Sequence, residues 1–584
     1  MYNKIFLSVI IIIIVILCLG IILNNLPLNL ETSKADIIII GLGTAGSIIA
    51  RRLHDALPNY KIIVLEKGKN RRNDPVVYNS ANAVEAAYNN NYSTLLNSDN
   101  PDVQITVGSM YGGSSSHNFG LCVHGSSSFY IQNWLKYLNM TEYKFASYIN
   151  KIESYMGKTE NTNMRGSTGF LKVSQMPEKI NVASRILPLL NKTFFEGFNL
   201  LYKSANVYFN AGPLRASDNF CKNVNNAIKK LKIVPIVEDY NIFNTSTCST
   251  QQLFIDGVSG LRSSLDVAYL PNDYIFIDHL GKAKTGNGNL QIVPNARVNK
   301  FSTNYVEWKD ENNTTKITNL NANGKIILAA GAIFTPYLLF NSGLGASITN
   351  NLTTHYGSTM IMSVLSNQNE DFNFSSGPVA FIPNIPGSNS RDLQLICGGE
   401  ALLNKNLLHK VGVNFEEKPV GMKYIIFLFW NLKPKTRGNI NNDLSEPYIE
   451  LNLFEDGTLD DSNSDISVAV NGMKFMYQLS QEIKKNYPTL NVVYPPENIF
   501  KQDNNNELKN YVKQGVSMTD HYSCTCPIGS VLNPIDFSIY NHPNIHVVDA
   551  SSFPNIPDGN TEFPTCLMAE IASDRIISSL KYRL

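Results

Sequence analysis

Apolar residues fall along this chain in two kinds of pattern. Short unbroken runs rich in β-branched residues predict buried strands: Asp36-Ile-Ile-Ile-Ile-Gly41, Lys61-Ile-Ile-Val-Leu-Glu66, Asn289-Leu-Gln-Ile-Val293, Lys325-Ile-Ile-Leu-Ala-Ala-Gly331 and Asn544-Ile-His-Val-Val-Asp549. Between the first two, Ile48, Ile49, Leu53, Ala56 and Leu57 recur at helical spacing until Pro58 ends the helix. A second helix is predicted over Thr335–Ser342, with Thr335 as N-cap and Pro336 at the first helical position, and a third over Cys566–Lys581. Two long blocks, Met140–Val258 and Ser347–Thr519, read differently. They mix amphipathic segments (Tyr143–Tyr155, Ile180–Asn191, Ser467–Lys485) with strands (Ile361–Leu365, Lys423–Phe429, Tyr448–Phe454), joined by Asn- and Ser-rich connectors. Mixed strands of this kind suit an antiparallel sheet walling a cavity. The late return of strand-then-helix signals implies that the first unit is rebuilt from distant segments.

The first strand–helix–strand unit carries Gly41-Leu-Gly43-Thr-Ala-Gly46, with Glu66 closing the second strand twenty residues on. The glycines permit a tight turn and close approach of a pyrophosphate, the helix N-terminus faces the phosphates, and an acid at Glu66 can accept from a ribose hydroxyl. This is a Rossmann-like dinucleotide site, and by itself it does not separate NAD from FAD.

Composition narrows the rest. A formal net charge of +1 over 584 residues argues against a nucleic-acid partner. Ile5–Leu23 is nineteen residues long, interrupted only by Ser8 and Gly20, and lacks a small-x-small cleavage site. It predicts an N-terminal transmembrane helix (5–23), a single-pass membrane anchor with the body on the non-cytosolic side. Cys524-Thr-Cys526 lacks zinc-knuckle spacing and a second pair, so no metal site is expected. A Cys221–Cys248 disulfide is open.

With these segments in hand the chain resembles the glucose–methanol–choline (GMC) oxidoreductases. Gly331-Ala-Ile-Phe-Thr-Pro-Tyr-Leu-Leu-Phe-Asn-Ser-Gly-Leu-Gly345 fits that family's second signature, and the unit Asp36–Glu66, Gly260–Leu270, Asn351-Leu-Thr-Thr-His355 and the tail His521–Ile577 match in family order. The resemblance is closest to members from giant viruses, to which Asn73-Asp-Pro-Val-Val77 is also similar, and this makes virion association an expectation. It implies an α/β (α+β overall) fold. An FAD-binding domain would be assembled from residues 35–139, 258–346 and 520–584, and a substrate domain with an antiparallel sheet and flanking helices from 140–257 and 347–519. FAD would be held by Gly41, Gly43, Gly46, Glu66, Gly113, Ser114, His117, Asn118, Val298, Asp549, Ala550, Asn560 and Thr561. In the choline oxidase branch the histidine in register with His117 is joined covalently to the flavin. The alternative is a polar loop histidine hydrogen-bonded beside the cofactor.

The resemblance also assigns chemistry. His521 matches the family's base, a role suited to imidazole because its ordinary pKa lies near neutrality. Asn560 matches the second active-site position, where an amide can donate to a developing alkoxide. The expected activity is oxidation of a small-molecule alcohol or sugar hydroxyl by hydride transfer to FAD. Two departures stand against it: Cys524 replaces a usual glycine, where a side chain would narrow the cavity, and Glu562 replaces a frequent asparagine and is expected to point away from the flavin. The giant-virus resemblance, the anchor and Cys524 leave a second expectation, a structural or virion-surface protein that keeps this fold with little turnover.

Overall fold

The computed structural model describes residues 28–78, 86–87, 89–175, 219–257, 259–345, 348, 350–365, 378–385, 387–400, 420–441 and 446–581. The five apolar runs converge in one sheet. Strand Lys34–Ile40 lies between Ile62–Leu65 and Thr315–Leu328 and runs parallel to both, with Ile39 opposite Val64 and Ile327. Leu290–Val293 extends the sheet beyond Ile62–Leu65, and His542–Val547 joins the far end of Thr315–Leu328, again in parallel. Ile37, Ile38 and Ile39 are fully buried, as a parallel strand covered on both faces requires. Helix Thr44–Ala56 buries Ile48, Ile49 and Leu53 and packs on the C-terminal helix Glu562–Lys581.

The second sheet is antiparallel throughout its main path, in the order Asn491–Tyr494, Tyr356–Leu365, Met422–Asn431, Leu393–Glu400, Pro378–Ile382, Thr247–Thr250. Alternation of side chains gives it two apolar faces. Met360, Leu395 and Phe427 pack with Met473, Met476 and Leu479 of helix Asp465–Lys484. Ile361, Phe381, Ile396, Leu428 and Trp430 form the other face and meet Leu121, Val123 and Tyr240.

Several expectations are corrected. Among the described residues no helix is long and apolar enough to cross a membrane. The expected anchor Ile5–Leu23 lies outside the described residues, as does the predicted helix Ile180–Asn191. The expected N-terminal transmembrane helix and single-pass membrane placement thus find no support among the described residues. The helix predicted from Thr335 begins at Gly331, and Pro336 lies inside it. Pro336 has no N–H for the Ala332 carbonyl, which instead accepts the Thr525 hydroxyl at 2.9 Å. The strand predicted to reach Phe454 stops at Glu450, because Asn452 and Phe454 adopt left-handed backbone (φ 53° and 62°). Cys248 is a free thiol directed at Asn225; the side chain of Cys221 lies outside what the structure describes.

Candidate active site

Three glycines build a cradle at the start of helix Thr44–Ala56. Gly41 has φ +98°, and a Cβ there would lie 2.5 Å from the Ala329 carbonyl oxygen; one at Gly46 would lie 2.1 Å from the Gly41 oxygen. Gly43 caps the helix with no side-chain bond. It faces Gly113, whose Cβ would come within 2.9 Å of the Gly43 Cα, so the two loops meet backbone to backbone. Glu66 closes the turn: its Oε2 accepts from Leu42 N–H and its Oε1 from Gly68 N–H, both at 2.7 Å. Burial raises its pKa.

The loop carrying Ser114, His117 and Asn118 lies beside this cradle. The Ser114 hydroxyl accepts from Gly108 N–H at 3.1 Å. His117 is 4 % exposed, and neither ring nitrogen has a partner. Burial, reinforced by the Arg262 charge, lowers its pKa to about 4, so the ring is neutral. Asn118 donates to Glu562 and accepts from Arg262 Nη1 at 3.0 Å. Glu562 thus turns towards Asn118, and burial raises its carboxyl to about 8. Arg262 Nη2 and Glu562 Oε1 are buried without partners.

Asp549 is saturated. Its Oδ2 accepts from Gly331 N–H (3.0 Å) and the Thr335 hydroxyl (2.6 Å), and its Oδ1 from Ser551 N–H (2.8 Å), so it pins the helix beginning at Gly331. The Ala550 carbonyl accepts from Cys524 N–H at 3.1 Å. Val298 is half-buried on strand Arg297–Phe301, and the Thr561 carbonyl accepts from Thr565 N–H in the first turn of the C-terminal helix.

His521 and Asn560, thirty-nine positions apart, are brought together: Asn560 Nδ2 lies 3.2 Å from His521 Nε2. Two residues that sequence reading gave no role complete the array. His355 Nδ1 lies 2.9 Å from His521 Nδ1, with the rings edge to face. From strand Leu393–Glu400 of the antiparallel sheet, Gln394 Nε2 donates to Asn560 Oδ1 at 2.9 Å. His355 could have been noticed in the Asn351–His355 match, whereas Gln394 lies in a block with no chemical signal. With Asn560 as donor, His521 Nε2 keeps its lone pair and its proton sits on Nδ1, facing His355. Burial, with the adjacent His355, holds the His521 pKa well below its ordinary value, and burial lowers that of His355 to about 3. Cys524 has φ 69°, a conformation that favours glycine; its thiol is directed at the Ser523 hydroxyl.

A third cluster is not a metal centre in chemical terms. Cys122, His124 and Glu153 offer ligand atoms within 4.8 Å of one another. Both Glu153 oxygens, however, already accept from Arg165, at 2.8 and 2.9 Å.

A glycine cradle at a helix start, a strand-end acid and a buried imidazole–amide pair suit a dinucleotide-dependent oxidoreductase. Family models described as GMC oxidoreductase match residues 279–357 and 434–569. Pyranose dehydrogenase 3 of Leucoagaricus meleagris is 24 % identical over 95 % of this chain and 94 % of its own length. The oxygen-dependent choline dehydrogenase of Staphylococcus saprophyticus is 23 % identical over 93 % and 94 %. The solved structure of a formate oxidase from Aspergillus oryzae superposes with a TM-score of 0.71 at 18 % identity, covering 95 % of this chain and 100 % of that one. Over those two stretches the chain matches the GMC oxidoreductases, to whose members it is similar along nearly its whole length, and its cofactor is FAD. The residues present fit that group: side chains would fill the cradle at Gly41, Gly46 and Gly113, and the unpartnered His117, Arg262 and Glu562 atoms await polar neighbours.

Proposed function

We propose that this protein oxidises a small alcohol at a carbon held beside His521 and Asn560, with the division into FAD-binding and substrate domains expected from the sequence. The observation supporting it is the Asn560–His521–His355 chain, which leaves the Nε2 lone pair of a neutral imidazole beside an amide donor. FAD, when bound, supplies the hydride acceptor. The substrate hydroxyl donates to His521 Nε2 and accepts from Asn560 Nδ2, so the proton leaves towards the base while the amide steadies negative charge growing on oxygen. His355 fixes the tautomer by accepting from Nδ1–H, and Gln394 fixes the orientation of the Asn560 amide.

Gly41, Gly43, Gly46 and Glu66 would grip the ADP half of the cofactor, with Gly113, Ser114, Asn118, Val298, Asp549, Ala550 and Thr561 around the remainder. We further assign His117 as the point of covalent attachment, supported by a neutral ring with no protein partner at either nitrogen. Acid precipitation of the holoprotein tests this: a yellow pellet is expected, and a yellow supernatant would refute the bond. The catalytic assignment is tested by anaerobic stopped-flow reduction of the flavin. His521→Ala should slow reduction by about 10²–10⁴-fold, and Asn560→Ala by roughly 10²–10³-fold. Unchanged reduction in His521→Ala would remove the base from the scheme.

A further inference from the structure

Arg391 stands two residues before strand Leu393–Glu400 and is 2 % exposed. Its Nε and Nη2 are both buried without a partner, and its Nη1 makes only a 3.5 Å contact with the Phe243 carbonyl. Among the described residues no other guanidinium has two buried nitrogens left open. Nε and Nη2 form one edge of the planar fork, with two parallel N–H bonds spaced to meet both oxygens of a carboxylate. The groups around it are otherwise engaged. Asp558, whose charge favours the protonated guanidinium, accepts from Ser126 N–H and the Ser126 hydroxyl, and the hydroxyls of Tyr130 and Tyr240 donate to the His124 and Cys122 carbonyls.

The guanidinium lies over the same face of the antiparallel sheet that carries Gln394. The guanidinium sits 3.7 Å from the centroid of the Phe381 ring. Phe381 is paired in register with Gln394, whose amide holds Asn560. A cation and the base–amide pair therefore flank one cross-strand pair of residues. Arginine stays protonated even here; Asp558 lies within electrostatic reach, but the Nε–Nη2 edge is left buried without an acceptor, which is costly.

We propose that Arg391 anchors a carboxylate on the substrate, so that the alcohol oxidised at His521 is a hydroxy acid. This rests on the alcohol-oxidation reading and deepens it. The carbinol C–H leaves as hydride to FAD, the hydroxyl proton goes to His521, and the product is the corresponding oxo acid.

The test uses the FAD-loaded full-length protein. Acetate, which cannot be oxidised by this route, is titrated while flavin absorbance is followed. Glycolate and longer ω-hydroxycarboxylates are then compared, as reductants, with uncharged alcohols of equal length. Acetate should perturb the flavin and compete with hydroxy acids. Arg391→Met should weaken acetate binding and raise KM for hydroxy acids by roughly ten- to a hundredfold while sparing uncharged alcohols. Arg391→Lys, which keeps the charge without the fork, should fall between and covers the case in which the methionine variant does not fold. Silence towards acetate in the parent protein, or equal binding in all three proteins, overturns the carboxylate site while leaving alcohol oxidation standing. Arg391-dependent acetate binding in a protein that no alcohol reduces supports the site and refutes the oxidation reading instead.

Discussion

His521 and Asn560 were visible in the sequence because each stands in a motif, and the structure sets them 3.2 Å apart. Gln394 and the role of His355 were not visible, because both arise from tertiary adjacency across more than a hundred positions. His355 has a consequence for pH dependence. With burial and this neighbour holding the His521 pKa well below 6.5, its imidazole is already neutral at ordinary pH. The acid limb of kcat/KM should therefore fall well below pH 6.5, and a limb centred at the ordinary histidine value would contradict the buried pair. Glu562 gives the opposite sign. Burial raises its carboxyl from 4.5 to about 8, so the folded state prefers the protonated acid. That contribution is fully present below the unfolded value and is lost as pH rises through 8. In urea unfolding of the apoprotein Glu562 should contribute a fall in stability between pH 4.5 and 8, at most about 1.4 kcal/mol per unit, against the opposite slope of the buried neutral histidines His117, His355 and His521. The stability of the parent relative to Glu562→Gln, which cannot ionise, should therefore fall across that window, and a pH-independent difference between the two would refute the assignment.

At the scale of elements, buried strands were the easiest features to read, since a parallel strand covered on both faces must be apolar throughout. Helix starts were harder. Thr335-Pro336 has the composition of a cap followed by a first helical residue, yet the Thr335 hydroxyl goes to Asp549 and the helix begins at Gly331. Local sequence could not show that Thr525, nearly two hundred residues later, supplies the donor that Pro336 lacks. Thr525→Val should accordingly cost about 1–3 kcal/mol in chemical denaturation by leaving the Ala332 carbonyl unpaired. The cradle makes a sharper prediction. Gly46→Ala places a methyl 2.1 Å from the Gly41 oxygen, against backbone with no flexible side chain to yield. Gly46→Ala should purify with less FAD than the parent, measured as the ratio of flavin to protein absorbance, and equal flavin content would refute this role for the close approach.

Across the whole molecule, the block Met140–Val258 offered no chemical signature, yet it carries a densely bonded buried ionic node. Arg165 bonds both oxygens of Glu153, both oxygens of Asp239 at 2.9 Å, and Gln252 at 2.7 Å. Glu153 also meets His124 Nε2 at 3.0 Å, and the His124 ring stacks on Phe563 at 4.0 Å between centroids. Asn241 closes the circuit through Gln252, the Cys122 carbonyl and His124 N–H. No periodicity announces such a node, because its members come from separate loops and strand ends chosen by charge balance. One cation faces two buried carboxylates, with a neutral imidazole sharing one of them. Losing the cation is therefore worse than losing either acid. Arg165→Met should destabilise the protein by about 3–5 kcal/mol, because Glu153 and Asp239 would remain as uncompensated buried charges. The triple variant Arg165→Met/Glu153→Gln/Asp239→Asn should recover much of that loss. His124 follows the His117 loop, and Phe563 follows Glu562. The node thus braces two segments that line the candidate flavin site, and Arg165→Met should release flavin at lower urea than the parent does. Loss of stability without earlier flavin release would make the node a brace for the middle block alone.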